Sequence, residues 1–362
     1  MLKSLALRGF RGFQSYELAE PTTVNLLVGK NNCGKTSLLE AVELLVSNGH
    51  LSVFSEVARR RGEVVVHQSR YRANVSHLFF GHTCEPGACF KLSSGDGREL
   101  SATIHSLDEL GEDAYQWEAR RNERRRELDE DEETEPAFGL RIAPGAEKEA
   151  VALPISEDGT ILHFSRRPTW RNSLSLSPVR FLGLESFVSE RMGDAWDKVL
   201  AEGLEDEIAE DMRLLVPEID SVHFLTGRLG PGGILVGLQG GGGRMPIGSY
   251  GDGLRRLLAL RLALVFATDG YLLIDEIDAG MHWTVIEDLW RLLVEVADRC
   301  NVQIYATTHS YDCVRGLGML VRSRPGLAEK VSLQKVHADL DHAVPIRGEQ
   351  IGTAVKQEIE VR

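Results

Sequence analysis

The chain has 362 residues, of which 26% are charged and 43% hydrophobic, and its formal net charge is −13 at pH 7. This length can bury a large core, and since bodies above roughly 250 residues usually divide, we expect one compound unit with two lobes. The acidic balance opposes strong non-specific adhesion to nucleic acid, and no run approaches the roughly 18 apolar residues of a membrane span. We therefore expect a cytoplasmic protein without membrane contact, whose five scattered cysteines are free thiols.

The first predicted elements are two strands, a glycine-rich loop and a helix within residues 1–47. An apolar run, Val24 to Val28, precedes the segment Gly29 to Thr36, which matches the pattern G-x-x-x-x-G-K-[ST], and an amphipathic stretch from Thr36 to Leu45 follows. Glycines let successive backbone N–H groups face phosphate oxygens, and the helix presents its positive N-terminal end to the same anion. This order predicts a phosphate-binding P-loop; the alternative is a simple glycine turn.

Two residues of this loop have specific predicted roles at a nucleoside triphosphate. Lys35 would reach the β- and γ-phosphates, and the Thr36 hydroxyl would bind Mg²⁺, which prefers oxygen ligands shared with phosphates and water. The sequence thus predicts a site for ATP and Mg²⁺. The other predicted nucleotide contacts in this loop and the first helical turn are Gly29, Asn31, Asn32, Cys33, Gly34 and Ser37.

An antiparallel sheet is predicted next. Residues 63–104 and 138–165 contain alternating apolar and polar runs, such as Glu99 to Ile104, that are typical of antiparallel strands. Residues 108–136, between them, form a charged and partly disordered insertion in this interpretation.

A short helical lobe follows. The helical pattern runs from Ser186 to Val216, places Trp196, Val199 and Leu200 on one stripe, and stops at Pro217. Because it contains no heptad array, long coiled-coil arms are excluded for this lobe.

Three clusters are basic although the net charge of the chain is negative: Arg59–Arg61, Arg120–Arg126 and Arg166–Arg167. The second runs directly into the acidic segment Asp129–Glu133, so it is better explained as a solvated, self-paired charged segment. DNA contact at Arg59–Arg61 is possible but not strongly indicated.

A second chemical motif lies more than two hundred residues after the P-loop. The apolar run Tyr271 to Ile274 predicts a buried strand, and it ends in Asp275 and Glu276. Catalytic residues of α/β proteins usually lie at the carboxyl ends of the strands. At this strand end Asp275 can hold the metal shell, and Glu276 can orient or deprotonate the attacking water. A strand-terminating acidic turn is the alternative.

Two further segments flank this strand. Gly248 to Gly253 stands directly before a long helical pattern, Leu254 to Phe266, so that a serine and glycines at a helix start offer an anion-binding N-terminus. Downstream, Asn301 to Ala306 predicts another buried strand, after which His309 could contact the γ-phosphate. Taken singly, the first is explained equally well as a helix cap and the second as a satisfied histidine.

The order of these elements resembles the ATPase heads of the ABC superfamily, in the branch that contains SMC proteins, RecF and the OLD-family ATPases. The opening segment Leu5 to Phe13 is similar to the first strand and turn of this branch, and the resemblance covers nearly the whole chain. It makes Asp275 and Glu276 a Walker B pair, with Glu276 and His309, the switch histidine, as catalytic residues. It adds Arg11, Ser249, Gly251, Gly253 and the D-loop residue Asp278 to the nucleotide contacts.

The fold implied by the resemblance is an α/β P-loop NTPase of the ABC-head type, with a mixed core sheet, an antiparallel β subdomain and a short helical lobe. The expected divisions are residues 1–180 as the nucleotide-binding lobe, 181–248 as the helical lobe with connecting strands, and 249–362 as the segment completing the ATPase core.

The resemblance also implies a mechanism in which two heads face each other head-to-tail around two ATP molecules, each completed by Ser249 and Gly251 of the partner copy. ATP then holds a homodimer together and hydrolysis releases it. Tyr250 and Asp252 depart from the transporter-type signature L-S-G-G-Q, which favours the OLD/RecF-like branch.

The last fifty residues contain Asp339-Leu340-Asp341, which superficially resembles a TOPRIM metal pair. A hairpin turn between Val331–Val336 and Ala343–Ile346 explains it better. Since no other nuclease constellation is present, DNA cleavage would have to come from a partner chain.

We therefore expect an ATPase whose ATP-driven dimerisation controls a separate, nuclease-like effector in anti-phage defence or DNA repair. The alternatives are the nucleotide-binding subunit of an ABC transporter and a non-hydrolysing scaffold or sensor that uses ATP only to hold a dimer.

Overall fold

The computed structural model describes residues 1–67, 70–111, 135–145, 150–162, 177–183, 191–225, 233–241, 243–357 and 359. Most of the predicted charged insertion therefore lies outside the described residues. The same holds for Arg120–Arg126, Asp129–Glu133, Arg166–Arg167 and Ser186.

The described part contains strands and helices in the following order. The strands are β1 Ser4–Phe10, β2 Phe13–Ala19, β3 Val24–Val28, β4 Val64–His67, β5 Arg70–Ala73, β6 Cys89–Ser93, β7 Glu99–Ser106, β8 Phe138–Ala143, β9 Val151–Ile155, β10 Val179–Leu182, β11 Ile219–Phe224, β12 Ile234–Leu238, β13 Arg244–Pro246, β14 Tyr271–Ile274, β15 Gln303–Thr307, β16 Val331–Lys335 and β17 Val344–Arg347. The helices are α1 Lys35–Val46, α2 Leu51–Arg61, α3 Leu107–Leu110, α4 Arg191–Glu202, α5 Glu205–Met212, α6 Asp252–Phe266, α7 Ile286–Arg299, α8 Tyr311–Ser323 and α9 Gly348–Lys356.

The core sheet has the strand order β10-β14-β15-β3-β16-β17 and is parallel except for the β16–β17 pair. Every residue of β3, β14 and β15 is buried, which explains why these strands are largely apolar in the sequence, with the buried polar exceptions Asn25, Gln303 and Thr307. Ile274 pairs with Ala306, and Thr307 pairs with Leu27, so these three strands end at the same edge. That edge carries the P-loop, the two acidic residues after β14 and the histidine after β15.

A second sheet is entirely antiparallel, with the order β2-β1-β6-β7-β8-β9, and it confirms the predicted antiparallel subdomain. Helix α1 contacts strands of both sheets. Its apolar residues share one buried cluster with Leu7 and Phe90 of the second sheet and with Leu273 and Tyr305 of the core sheet. The helix that follows the P-loop is thus enclosed between two sheets.

The predicted domain boundaries at residues 180 and 248 stay a prediction. Strand β10 crosses the first of them, and the core sheet combines β3 from the first segment with β14 to β17 from the last.

The helical lobe departs from the prediction in two details. The helical pattern is broken at Gly203, which has a φ of 68°, so α4 and α5 are separate helices. Leu200 was predicted on the buried stripe, but it is 50% exposed. Ala195, Trp196 and Val199 are buried, and at about 100° of rotation per residue Leu200 lies roughly 100° from the centre of that face.

The predicted C-terminal hairpin is present, because Leu333 of β16 pairs with Ile346 of β17. Asp339, Leu340 and Asp341 lie in its exposed connection. Within the part of the chain that the structure describes, no group of three or more His, Cys, Asp or Glu side chains is arranged to hold a metal ion.

Two carboxylates of α1 are buried in spite of their charge, since Glu40 is 1% and Glu43 is 3% exposed. Arg11 Nε and Arg61 Nε each lie 2.7 Å from a carboxylate oxygen of Glu40, and Arg60 pairs with Glu43. Two of the three arginines of the Arg59–Arg61 cluster thus pair with buried carboxylates of the same chain. DNA contact at this cluster stays a prediction, with fewer free charges to support it.

The buried Glu43 predicts a pH-dependent stability. Burial raises its pKa from 4.5 to about 7, with the Arg60 guanidinium acting in the opposite direction. The folded state therefore binds the Glu43 proton more tightly than the unfolded chain does. The protonated Glu43 stabilises the fold fully below pH 4.5, and this stabilisation is lost as the pH rises towards 7. Relative to Glu43→Gln, the free energy of unfolding of the wild type should fall by roughly 2 to 3 kcal/mol across this interval. Urea titrations of both proteins check this, and parallel pH profiles would contradict it.

Candidate functional site

The loop between β3 and α1 has a backbone that two glycines make possible. Gly29 has a φ of 146° and Gly34 a φ of 96°, both in the region that side chains rarely adopt. A Cβ atom would lie 2.3 Å from the carbonyl oxygen of Val336 at position 29, and 2.2 Å from Cζ of Phe13 at position 34. Gly34 is the N-cap of α1, so the first N–H groups of the helix open into the loop. This geometry supports the P-loop interpretation over a simple turn.

Lys35 is the first residue of α1 and is 5% exposed. Its ammonium donates to the carbonyl oxygens of Gly29 at 2.8 Å and Lys30 at 2.9 Å, so the side chain folds back over the loop. Burial lowers the pKa of Lys35, whereas Cys33, Asp275 and Glu276 act in the opposite direction. An anionic ligand in the loop would replace two neutral carbonyl acceptors with stronger charged ones.

Thr36 and Asp275 meet at the sheet edge although they are 239 residues apart. Thr36 Oγ1 lies 3.2 Å from both carboxylate oxygens of Asp275, and Thr307 Oγ1 donates to Oδ1 of Asp275 at 2.6 Å. A hydroxyl and a carboxylate placed together beside this glycine-rich loop match the hard oxygen ligands that Mg²⁺ prefers. The donor set therefore fits the predicted magnesium site.

Glu276 follows Asp275 in an unusual backbone conformation. Its φ is 52°, in the left-handed region that only glycine enters easily, and its N–H donates to Thr307 Oγ1 at 2.9 Å. The side chain is half-buried at the edge of the site.

His309 and Asp278 complete the cluster at the strand ends. His309 Nδ1 is 3.5 Å from Lys35 Nζ, which joins the end of β15 to the P-loop. Thr308 Oγ1 donates to a carboxylate oxygen of Asp278 at 2.5 Å, so the segment after β14 is tied to the segment after β15. The structure thus brings Lys35, Thr36, Asp275 and His309 together, as the sequence predicted.

Two other predicted nucleotide contacts are engaged elsewhere. Arg11 is 6% exposed and pairs with Glu40 and Glu63, and Ser37 Oγ accepts a hydrogen bond from Arg61 at 3.3 Å. Their roles at a nucleotide stay predictions; for Ser37 the backbone N–H at the helix start is the group concerned. The remaining loop positions differ in exposure: Asn31 and Asn32 are exposed, and Cys33 is buried.

The predicted signature segment lies at the start of α6. Gly248, Ser249 and Gly251 are exposed, and Gly251 has a φ of 88°. The helix begins at Asp252 rather than Leu254, since the backbone turn is complete at Gly251 and an acidic residue is favourable in the first helical turn. Among the described residues, no hydrogen bond or ion pair connects residues 249–253 with residues 29–36. In the described part of the chain, this segment therefore makes no polar bond to its own P-loop.

The signature segment instead lies beside the segment that follows Asp278. A Cβ atom at Gly253 would be 3.1 Å from the carbonyl oxygen of Gly280 and 3.9 Å from the sulfur of Met281. Trp283, just beyond, is 59% exposed. The two segments are thus adjacent, and both carry exposed residues.

Two residues of the site were missed in the sequence. Thr307 bonds both Asp275 and the N–H of Glu276, and its place in the run Thr307-Thr308-His309 at a strand end was a usable signal. Arg256 is 3% exposed and donates to the carbonyl oxygens of Asp275 and Glu276. An arginine in an otherwise apolar helical pattern does not by itself indicate such a contact.

No helix in the described ranges is both long and apolar enough to cross a membrane.

The chain is similar to several known proteins. A curated "ATP/GTP phosphatase" of Helicobacter pylori is 20% identical over 371 residues, with 95% of each chain covered. A "DNA replication and repair protein RecF" of Synechococcus is 42% identical over 84 residues, which is 22% of this chain and 21% of that protein. The solved structure described as "Crystal structure of the SmcHead bound to the C-winged helix domain of ScpA" superposes with a TM-score of 0.51 at 14% identity, covering 96% of this chain and 99% of the other. This likeness shows that the fold is that of an SMC-type ATPase head.

A family model described as "AAA domain, putative AbiEii toxin, Type IV TA system" matches residues 24–312. The matched range contains the P-loop, both acidic residues after β14 and His309. The chain therefore belongs to this AAA-domain family.

Proposed function

We propose that this protein binds ATP with Mg²⁺ and hydrolyses it. The proposal rests on four side chains that lie together at one edge of the core sheet. Thr36 Oγ1 is 3.2 Å from both carboxylate oxygens of Asp275, and Lys35 Nζ is 3.5 Å from Nδ1 of His309. Three separate parts of the sequence supply these residues, and each supplies the residue type that phosphoryl transfer needs. A relative that is similar over nearly the whole chain is named an ATP/GTP phosphatase, and this name supports the same reaction.

The residues have distinct roles in this reaction. Lys35 exchanges the carbonyls of Gly29 and Lys30 for phosphate oxygens, and Thr36 with Asp275 would hold Mg²⁺, which neutralises phosphate charge when it is bound. Glu276 positions the attacking water and accepts its proton. His309, beside Lys35, donates to the γ-phosphate.

The active form in this proposal is a head-to-tail homodimer. Ser249, Gly251 and Gly253 lie in the signature segment, in which Ser249 and Gly251 are exposed and no hydrogen bond to its own P-loop is formed among the described residues, so it is available to the nucleotide of a second copy. The segment that follows Asp278 lies beside Gly253, because Gly280 and Met281 are its neighbours. Two identical surfaces related by a two-fold axis would enclose two ATP molecules.

We propose further that the ATP-dependent dimer controls a separate effector, of nuclease type, in anti-phage defence or DNA repair, as OLD-type and RecF-like ATPases would. The partial RecF relatives support the repair role, and the family description, which names a toxin of a type IV TA system, supports the defence role. The SMC head of similar fold is described as bound to a domain of another protein, which supports the use of such a head as a platform for a partner.

The scaffold alternative differs from this proposal in one observable. A non-hydrolysing sensor would bind ATP and dimerise without releasing phosphate, whereas Glu276 beside Asp275 supports turnover. A phosphate-release assay with Mg²⁺ and ATP separates the two. No specific observation favours the transporter alternative.

The dimeric site is tested by Ser249→Arg. A long cationic side chain in the exposed segment should block the approach of a second copy, while the P-loop of the same chain is untouched. We expect ATP affinity within about 2-fold of the wild type and turnover reduced about 100-fold, the usual effect of losing a group that stabilises the transition state. Ser55→Arg, at an exposed serine of α2 outside the site, is the matched control.

Mixing Ser249→Arg with Lys35→Ala sharpens this test. A mixed dimer combines the intact P-loop of the first variant with the intact signature segment of the second, so one of its two sites is complete. Activity should recover to a fraction of the wild type on mixing. Normal hydrolysis by Ser249→Arg as a monomer would reject the shared site.

A further inference from the structure

We propose that Arg256 is a positioning residue that connects the start of α6 to the catalytic carboxylate Glu276. The inference rests on the proposed ATP hydrolysis. In this proposal the buried side chain of Arg256 holds the backbone of Glu276 in the conformation that the reaction needs.

The first observation is the placement of a buried guanidinium against backbone oxygens. Arg256 is 3% exposed, and its Nη2 donates to the carbonyl oxygen of Asp275 at 3.2 Å and to that of Glu276. Burial lowers the pKa of Arg256, and the nearby carboxylates of Asp278, Glu276 and Asp275 act in the opposite direction. One nitrogen thus holds the two peptide oxygens that follow β14.

The second observation is the strained backbone between those contacts. Glu276 has a φ of 52°, which a residue with a Cβ adopts only when its surroundings impose it. Its N–H is held by Thr307 Oγ1 at 2.9 Å, and its C=O is held by Arg256. The peptide groups on both sides of Glu276 are therefore fixed, one from β15 and one from α6.

The third observation is where Arg256 stands on its helix. It lies one turn after Asp252, the first residue of α6, and so next to the exposed signature segment. A helix moves as a rigid unit over one turn, so a displacement of its first residues by a second copy would also displace Arg256. Arg256 is hydrogen-bonded to the carbonyl oxygen of Glu276 in the same chain. A second copy that displaces the signature segment would therefore also move the catalytic carboxylate of the chain it docks against.

The matched control is on the same helix. Arg261 is 1% exposed, but it pairs with Asp211 at 2.6 Å and Glu207 at 3.2 Å in α5, away from β14. Arg261→Met removes an equally buried guanidinium and should lower thermal stability to a similar extent. It does not touch the segment that holds Glu276.

The experiment compares Arg256→Met, Arg256→Lys and Arg261→Met well below their melting temperatures. For Arg256→Met we expect KM within about 3-fold of the wild type and kcat lowered on the order of 10- to 100-fold, as for a misplaced catalytic group. Arg256→Lys keeps a cation that reaches one carbonyl, and it should recover part of kcat. Arg261→Met should keep kcat within about 3-fold.

Amide hydrogen exchange supplies a readout that does not depend on hydrolysis. In the nucleotide-free protein, peptides covering residues 275–279 should exchange about 10-fold faster in Arg256→Met than in the wild type or Arg261→Met, since their backbone contacts are released. Arg256→Lys provides the same comparison if the methionine variant does not fold.

The outcomes separate the two proposals. A wild type without turnover rejects the proposed function, and the exchange data still decide whether Arg256 holds the segment. Unchanged amide exchange at residues 275–279 in Arg256→Met would overturn the role of Arg256. So would a loss of kcat that is proportional to the loss of stability in both Arg256→Met and Arg261→Met.

Discussion

Lys35→Ala should abolish ATP binding at concentrations that saturate the wild type. The ammonium lies over the P-loop backbone, bonded to the carbonyl oxygens of Gly29 and Lys30, and it would contact phosphate oxygens through charge-assisted hydrogen bonds. Losing such contacts costs about 3 kcal/mol, a factor on the order of 100 in the dissociation constant. The loop itself should keep its shape, because Gly29 and Gly34 determine the backbone.

Isothermal titration with ATP and Mg²⁺ measures this effect directly. Circular dichroism should show the same fold and a similar melting temperature in the mutant. Lys91→Ala removes an exposed lysine of β6 and serves as the control. Equal ATP affinity in Lys35→Ala and the wild type would reject the P-loop as the nucleotide site.

Glu276→Gln should separate binding from hydrolysis. The amide has the size and most of the hydrogen bonds of the carboxylate, but it cannot accept the proton of the attacking water. Turnover should fall on the order of 1,000-fold while ATP affinity is retained. Because the nucleotide then stays intact, the mutant should accumulate as an ATP-bound dimer.

Phosphate release and light scattering with ATP or ADP test the two halves of this expectation. The dimer should form with ATP, not with ADP, and it should disappear when Ser249→Arg is added to Glu276→Gln in the same chain. Glu85→Gln, at an exposed acid, controls for the change of charge. Unchanged turnover in Glu276→Gln would place the catalytic carboxylate elsewhere.

The sequence predicted the parts of the site that lie in short continuous motifs. Gly29 to Thr36 follows a run that is buried at every position, and Asp275 closes another such run, so composition and order were sufficient. The neighbouring positions of β3 and β15 in the sheet, which bring Lys35 to His309, depend on pairing between strands hundreds of residues apart. Local patterns carry no information on that pairing.

Helix α1 shows the limit of pattern analysis most clearly. Its sequence predicts an amphipathic helix, whose polar face would ordinarily meet water. In the structure it lies between two sheets, and the polar positions Glu40 and Glu43 are buried against Arg11, Arg60 and Arg61. Such ion pairs come from tertiary packing, which also explains why Arg256 and its two carbonyl contacts could not be predicted.

The most direct test of the central claim is the ATPase rate per chain, measured over a range of chain concentrations with saturating Mg²⁺ and ATP. If each site is completed by Ser249 of a second copy, the rate per chain should be near zero in dilute solution and rise to a plateau at the concentration where the dimer forms. A rate per chain that is constant into the monomeric range, or no phosphate release at any concentration, would contradict the account.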